Sequence, residues 1–135
     1  MPLKLPVGIQ SFEVIRTEGY YYVDKTPFVK KLVDEGKYYF LSRPRRFGKS
    51  LFLDTLRQAF LGRRELFKGL YLENKWDWSE KYPVVYISFG AGVIKSVKEL
   101  DVTFEEILME HEETYGIKLT YPSLKGRFRE LIKAL

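Results

Sequence analysis

Cysteine is absent from this sequence, and histidine occurs once in 135 residues. A chain without cysteine forms no disulfide and has no thiolate for a metal, and a single histidine excludes a zinc site built from several imidazoles. Apolar runs are also short. None approaches the roughly 18 residues of a membrane-spanning helix, and the N-terminus has no apolar signal-peptide core. We therefore expect a cytoplasmic protein with no membrane partner.

Repeats, low-complexity stretches and linker-like segments are lacking too, so no internal domain boundary is predicted. The chain is long enough for one domain, and ten tyrosines and ten phenylalanines supply apolar bulk for its core. Its 23 lysines and arginines exceed its 18 acids, which gives a formal net charge of +5. This positive charge favours anionic partners such as nucleotides, nucleic acids or acidic surfaces.

The most informative stretch covers residues 40–53 and reads FLSRPRRFGKSLFL. The apolar, aromatic run Lys37–Ser42 predicts a strand, and the basic loop after it ends in Gly48, Lys49 and Ser50. An apolar segment typical of a helix follows at once. The order of strand, loop, Gly-Lys-Ser and helix is typical of a phosphate-binding P-loop, whose backbone N–H groups and helix dipole attract an anion.

The helix of this motif is predicted from about Gly48 to Phe60. In a P-loop, the lysine reaches the terminal phosphates of a nucleotide, and the hydroxyl of the next residue binds Mg²⁺. Those roles fall to Lys49 and Ser50, so Ser50 is the predicted metal ligand. The predicted nucleotide-binding residues are Arg45, Arg46, Phe47, Gly48, Lys49, Ser50 and Leu51.

One position departs from the general pattern G-x-x-x-x-G-K-[ST], because Arg43 stands where the first glycine belongs. Pro44 fixes its own φ and biases Arg43 toward an extended conformation. We therefore expect the loop to start stiff and to wrap only from Arg45 onward. The simplest alternative is a basic surface turn that contains Gly-Lys-Ser by chance.

A second interpretation is a nucleic-acid-binding fragment. Four cations lie within residues 43–49, and a last helix predicted from about Pro122 has a basic surface. That surface consists of Lys125, Arg127, Arg129 and Lys133. It either contacts nucleic-acid phosphates, with a steep salt dependence and no need for Mg²⁺, or only keeps the helix in solution. The Gly-Lys-Ser order after an apolar run favours the nucleotide, because a nucleic-acid patch needs only positive charge.

Longer stretches of the sequence resemble the AAA-ATPase-like family of P-loop proteins. The resemblance is carried by LPVGIQSFEVIRTEGYYYVDKT (5–26), YFLSRPRRFGKSLFLDTLRQAFLGRRELFKGLYLE (39–73) and YPVVYISF (82–89), in that order. Because the string RPRRFGKS is distinctive of that family, the resemblance implies that Arg43 belongs to its P-loop. It also implies ATP binding through Lys49 and Ser50. In longer members a restriction-nuclease-like domain often follows, which would bring a nucleic-acid partner.

The second motif of that family, an apolar strand ending in Asp-Glu, is missing. In the family this pair supports Mg²⁺ and polarises the attacking water, so enzymatic activity of this chain stays open. The nearest predicted strand, Pro83–Phe89, ends without an acid. We therefore expect an incomplete N-terminal part of an ATPase, which binds Mg·ATP and needs a downstream segment for hydrolysis.

The fold predicted from these elements is α/β, a partial P-loop NTPase-like three-layer core with a small parallel sheet flanked by helices. Residues 1–135 are predicted as a single, incomplete nucleotide-binding domain. Its N-terminal arm and first helix cover 1–36, and its P-loop core covers 37–135. Two clearly predicted strands leave an apolar sheet edge, from which we expect self-association.

The helices outside the P-loop are predicted from their capping residues. Thr26 as N-cap and Pro27 after it predict a helix that ends at Gly36, preceded by an irregular arm. A capping box at Thr103–Glu106 predicts a helix that Gly116 stops.

Several aromatic residues are open to two interpretations. Trp76 and Trp78 would stack a base or fill the edge of a core, and the core is favoured. Tyr22, Val23 and Asp24 would touch an adenine or order the arm beside it, or the aromatic run 20–22 would only cover the core, and the core is again favoured. His111 shares a helix face with apolar residues and is predicted to be packed rather than catalytic.

Overall fold

The computed structural model describes residues 2–44, 47–90 and 93–135. Over those ranges it consists of helices and loops, with no strand and no sheet. Parallel pairing there is limited to an isolated bridge between Lys4 and Tyr20. The predicted α/β three-layer core with a parallel sheet is therefore wrong. The chain divides into two compact units, the first up to Val84 and the second from Val85 to Leu135.

The two runs predicted as strands, Lys37–Ser42 and Pro83–Phe89, have no regular secondary structure. In the first run, Tyr38 is 94% and Phe40 is 93% exposed, so these rings belong to no core. An apolar run becomes a strand only where a neighbouring strand pairs with its backbone N–H and C=O groups. Neither run has such a neighbour among the described residues.

The described residues of the first unit form three α-helices and two 3₁₀ turns. They are α1 (Phe12–Thr17), α2 (Thr26–Glu35), α3 (Lys49–Phe60), a first 3₁₀ turn (Arg64–Phe67) and a second 3₁₀ turn (Tyr71–Asn74). The helix predicted from about Gly48 to Phe60 is confirmed as α3. The helix α1 lies where an irregular arm was predicted, and its N-terminus is capped by the Ser11 hydroxyl, which accepts a hydrogen bond from the Val14 amide (3.3 Å).

The N-terminus of α2 is capped from a residue that precedes the predicted cap. Asp24 Oδ1 accepts hydrogen bonds from the amide (2.9 Å) and the hydroxyl (2.6 Å) of Thr26, which is the first helical residue. Pro27 lies in the first turn, and the helix ends before Gly36, as predicted. Asp24 therefore supplies the capping oxygen that was assigned to Thr26.

Aromatic rings organise the core of the first unit. The ring of Phe12 lies 4.8 Å from that of Phe67 and 5.2 Å from that of Tyr22. Trp78 packs at 5.0 Å on Phe67, and Trp76 packs at 6.3 Å on Trp78. These contacts confirm that both tryptophans and Tyr22 belong to the core. The fully or nearly fully buried residues of this cluster are Phe12, Val29, Ala59, Leu66, Phe67 and Leu72.

In the second unit, residues 85–90 and 93–135 are described and form two helices, α4 (Val97–Tyr115) and α5 (Leu124–Ala134), which pack against each other. The predicted start of α4 at Thr103 is wrong, because a capping box lies further upstream. The Ser96 hydroxyl accepts a hydrogen bond from the Glu99 amide (3.2 Å). In return, Glu99 Oε2 accepts a hydrogen bond from the Lys95 amide (2.6 Å). The end of α4 at Gly116, in the left-handed conformation, is confirmed.

A buried histidine joins α4 to the loop at the start of the second unit. The Tyr86 amide donates to His111 Nε2 (3.0 Å), and His111 Nδ1 lies 2.7 Å from the Ile107 carbonyl oxygen. Since Nε2 accepts, the proton of the neutral ring is on Nδ1 and points at Ile107. The prediction that His111 is packed is confirmed. None of the described helices combines the length and the apolarity that a bilayer crossing requires.

Candidate functional site

Gly48 lies at the turn between the basic loop and α3. Its φ of 76° and ψ of 22° place it in the left-handed region, which glycine adopts at little cost. α3 begins at Lys49, and its first hydrogen bond runs from the Phe52 amide to the Gly48 carbonyl (2.9 Å). The amides of Lys49, Ser50 and Leu51 precede that bond, so the helix supplies no acceptor for them.

Electrostatically, this end of α3 is not compensated within the helix. No side chain caps it, and its first turn contains no acid. The aligned peptide dipoles of the 12-residue helix place partial positive charge there. The ammonium of Lys49 adds a full charge beside the three amides, so the ligand that this arrangement stabilises is an anion.

The side chains at the site are open to solvent. Lys49 and Ser50 are exposed, and neither side chain has a hydrogen-bond or ion-pair partner among the described residues. Phe47 is 62% exposed, and its carbonyl accepts a hydrogen bond from Arg43 Nη1 (3.3 Å). Leu51 packs on the core of the first unit, so only its amide faces the site.

The structure thus brings five of the seven predicted binding residues together at the N-terminus of α3. They are Phe47, Gly48, Lys49, Ser50 and Leu51. The other two, Arg45 and Arg46, lie outside the described residues, and so does the prediction that the loop wraps from Arg45 onward.

Two polar residues inside α3 form hydrogen bonds close to the site, and one of them, Asp54, attaches the helix to α1. Asp54 Oδ2 accepts a hydrogen bond of 2.7 Å from the Phe12 amide of α1. The fully buried Thr55 donates its hydroxyl to the Leu51 carbonyl (2.8 Å). Asp54 was not predicted from the sequence, although it is the only acid in α3.

Asp24, which a base-pocket interpretation would place beside an adenine, is engaged in the structure of the first unit. Its Oδ2 accepts a hydrogen bond from the Tyr71 amide (2.8 Å), and its Oδ1 accepts one from the Thr26 amide. Burial of the carboxylate raises its pKa, but the hydrogen bonds from Thr26 and Tyr71 together outweigh it and lower the pKa of Asp24. Asp24 therefore links α2 to the second 3₁₀ turn.

An oxygen ligand for Mg²⁺ is present at the N-terminus of α3, in the side chain of Ser50. No three His, Asp or Glu side chains gather as a metal site in the described ranges. Mg²⁺ keeps several waters and is bound through few protein ligands together with substrate phosphates. The exposed hydroxyl of Ser50, in the first turn of α3 beside the three amides, fits that requirement.

Comparison with known proteins gives a family but no activity. A relative from Azotobacter chroococcum mcd 1, described as an uncharacterized protein in the vnfD 5′ region, is 52% identical over 131 residues. The match covers 96% of this chain and 25% of the relative, so the chain spans about a quarter of the length of that relative. No solved structure matches the chain.

The family model described as "Predicted AAA-ATPase", of the AAA-ATPase-like family, matches residues 6–135. That range includes all of the residues at the N-terminus of α3 and nearly the whole of both units. The resemblance stated from the sequence is confirmed at the level of the family. The chain therefore belongs to the AAA-ATPase-like family of predicted ATPases.

Proposed function

We propose that the chain binds Mg·ATP at the N-terminus of α3. One observation carries the proposal. A left-handed Gly48 precedes a helix whose first three amides have no acceptor within the helix. The first side chain of that helix, Lys49, has no partner among the residues that the structure describes. Membership of a family of predicted ATPases supports it independently.

Each residue of the site has a separate role in this proposal. The amides of Lys49, Ser50 and Leu51 donate to phosphate oxygens, and the Lys49 ammonium balances the charge of the terminal phosphates. The Ser50 hydroxyl binds Mg²⁺, which when bound neutralises part of the phosphate charge. Gly48 provides the turn, and Arg45 and Arg46 contribute further positive charge.

The proposal is one of binding with little turnover. Phosphoryl transfer requires a residue that orients the attacking water. The one Asp-Glu pair in the sequence, Asp34 and Glu35, lies at the C-terminal end of helix α2 and does not follow an apolar strand. Hydrolysis would then depend on a segment of a longer protein. A nucleic-acid partner of that longer protein, self-association and a cytoplasmic location stay predictions.

The test is calorimetric titration of the chain with ATP, with and without Mg²⁺. We expect saturable binding that requires Mg²⁺ and that Lys49→Ala reduces at least tenfold, because the phosphates lose their principal counter-charge. Lys75→Ala is the matched control, since Lys75 is also an exposed lysine of the first unit without a side-chain partner in the described ranges. It should bind as the wild type does.

Equal binding by Lys49→Ala and the wild type would show that Lys49 is not a phosphate ligand. ATP binding that does not depend on Mg²⁺ and that is weakened equally by Lys49→Ala and Lys75→Ala would indicate a general charge effect and would contradict the proposal.

A further inference from the structure

Charge is segregated between the two helices of the second unit. α4 carries seven acids and one lysine, whereas α5 carries four cations and one acid. If this segregation served only to hold the helices together, the cations of α5 would face the acids of α4. The positions of the side chains show that most of them do not.

Only one cation of α5 pairs with α4 among the described residues. Arg127 Nη2 lies 3.2 Å from Glu105 Oε1, and the Arg127 side chain is 21% exposed. The acid of α5, Glu130, is also occupied, because it accepts hydrogen bonds from the amides of Thr120 (2.9 Å) and Tyr121 (3.2 Å). Among the described residues, the Arg127–Glu105 pair is thus the ion pair that joins α4 to α5, and the other three cations of α5 take no part in these contacts.

Lys125, Arg129 and Lys133 form what we call the basic stripe. All three are exposed, and none has a hydrogen-bond or ion-pair partner among the described residues. They are spaced by four residues, so they lie along one face of α5 over about 12 Å. A row of unpaired cations on a rigid helix is suited to a linear polyanion.

An aromatic ring lies at the head of the basic stripe. Tyr121 is 59% exposed and precedes α5 by two residues. Gly126, in the first turn, makes room for it, since a Cβ there would lie 2.9 Å from Tyr121 Cβ and Cδ1. With its amide held by Glu130, Tyr121 is fixed beside the helix while its ring faces solvent.

We propose that the basic stripe and Tyr121 bind single-stranded nucleic acid. The phosphates run along Lys125, Arg129 and Lys133, and one base stacks on Tyr121, a combination that single-strand binding proteins use. This proposal is independent of nucleotide binding at α3.

An acidic membrane surface is the other polyanion to consider. A helix that lies on a membrane must bury a broad apolar face in the lipid. The apolar face of α5 is already occupied, because Leu124, Phe128 and Leu131 pack in the core of the second unit. Ile132, 55% exposed, is the large apolar side chain left beside the stripe. The structure therefore favours the nucleic acid.

The test measures anisotropy of a short fluorescein-labelled oligothymidylate as the intact chain is added at several salt concentrations. Replacing the stripe (K125Q/R129Q/K133Q) should weaken binding and reduce the slope of log K against log salt by about 2, because each phosphate contact in a single strand contributes roughly 0.7. Tyr121→Ala should weaken binding about tenfold, and Tyr121→Phe should retain it.

The matched control removes three other exposed lysines of the second unit (K95Q/K98Q/K118Q), which changes the net charge equally. It should keep most of the affinity, and circular dichroism should show native helix content in every variant. An unchanged salt slope in the stripe variant, or an equal loss in the control, overturns the proposal. Tighter binding to the same oligonucleotide as a duplex, or to phosphatidylserine vesicles, overturns it as well.

Discussion

The amide of Phe12 donates a 2.7 Å hydrogen bond to Asp54 Oδ2, across 42 residues of sequence. Phe12 is the first residue of α1 and is fully buried, so its amide has neither a helical acceptor nor water. Asp54 supplies the acceptor from the middle of α3. One carboxylate thereby completes the N-terminus of α1 and fixes the helix that carries the proposed ATP site.

We expect Asp54→Ala to lower the free energy of unfolding of the first unit by about 1–3 kcal/mol, because a buried amide loses its acceptor. Urea denaturation followed by circular dichroism measures the change. Asp34→Ala is the control, since Asp34 forms an exposed ion pair with Lys30 within α2 and should cost only about 0.5 kcal/mol. Equal losses in the two variants would contradict the role given to Asp54.

Replacing Gly48 distinguishes the effect of this residue on stability from its effect on Mg·ATP binding. A Cβ at Gly48 meets nothing within 4 Å, so Gly48→Ala has no steric clash to relieve. Its cost is the left-handed backbone, about 1 kcal/mol for alanine. We expect this small loss of stability together with a much larger loss of Mg·ATP affinity, because the amides of α3 are no longer held in place.

Gly69→Ala is the control for Gly48. Gly69 also has a positive φ, of 79°, and open space around its Cα. Its replacement should cause a similar loss of stability without any change in ATP affinity. Gly48→Asn should recover part of both properties, since asparagine tolerates the left-handed region. If the two alanine variants bind ATP equally, Gly48 has no special role in binding.

Acid should destabilise the first unit through Asp24. The pKa of Asp24 is lower in the folded state than its ordinary value of 3.8, since hydrogen bonds from Thr26 and Tyr71 outweigh burial. A lowered folded pKa gives stability that is present above the ordinary value and is lost as the pH falls through the folded one. We therefore expect the midpoint of thermal unfolding to drop as the pH falls below about 4.

Hydrogen bonds also lower the pKa values of Glu65 and Glu130, so these groups add to the loss of stability in acid. Comparison of the wild type with Asp24→Asn isolates the contribution of Asp24. The gap in unfolding midpoint between wild type and Asp24→Asn should be widest at neutral pH and should narrow in acid. A gap that stays constant down to pH 2 would show that the ionised form of Asp24 is not favoured by folding.

Local signals in the sequence predicted α3 and the ends of α2 and α4, but they also predicted a sheet that does not form among the described residues. α3 and the ends of α2 and α4 depend on capping residues and periodicity, which a short window contains. The runs at 37–42 and 83–89 are apolar enough to suggest strands. A strand also needs a neighbouring strand that pairs with its backbone groups, and a short stretch of sequence does not show whether one exists. The start of α4 was misplaced because Thr103–Glu106 and Ser96–Glu99 both read as capping boxes.

The proposed site was predictable for a different reason. Gly48, Lys49 and Ser50 are neighbours in sequence and remain neighbours at the start of a helix, so the motif carries its own geometry. The residues that support the helix were not predictable in this way. Asp54 meets Phe12, and Asp24 meets Tyr71, through contacts across more than 40 residues that only the folded chain reveals.

The two tryptophans, packed at the edge of the first core, have a practical consequence. Both indoles lie before Val84, and none follows. Their emission should shift to longer wavelength when the first unit opens and should remain constant when only the second does. Comparing that signal with the ellipticity of all the helices would separate the unfolding of the two units in a single sample.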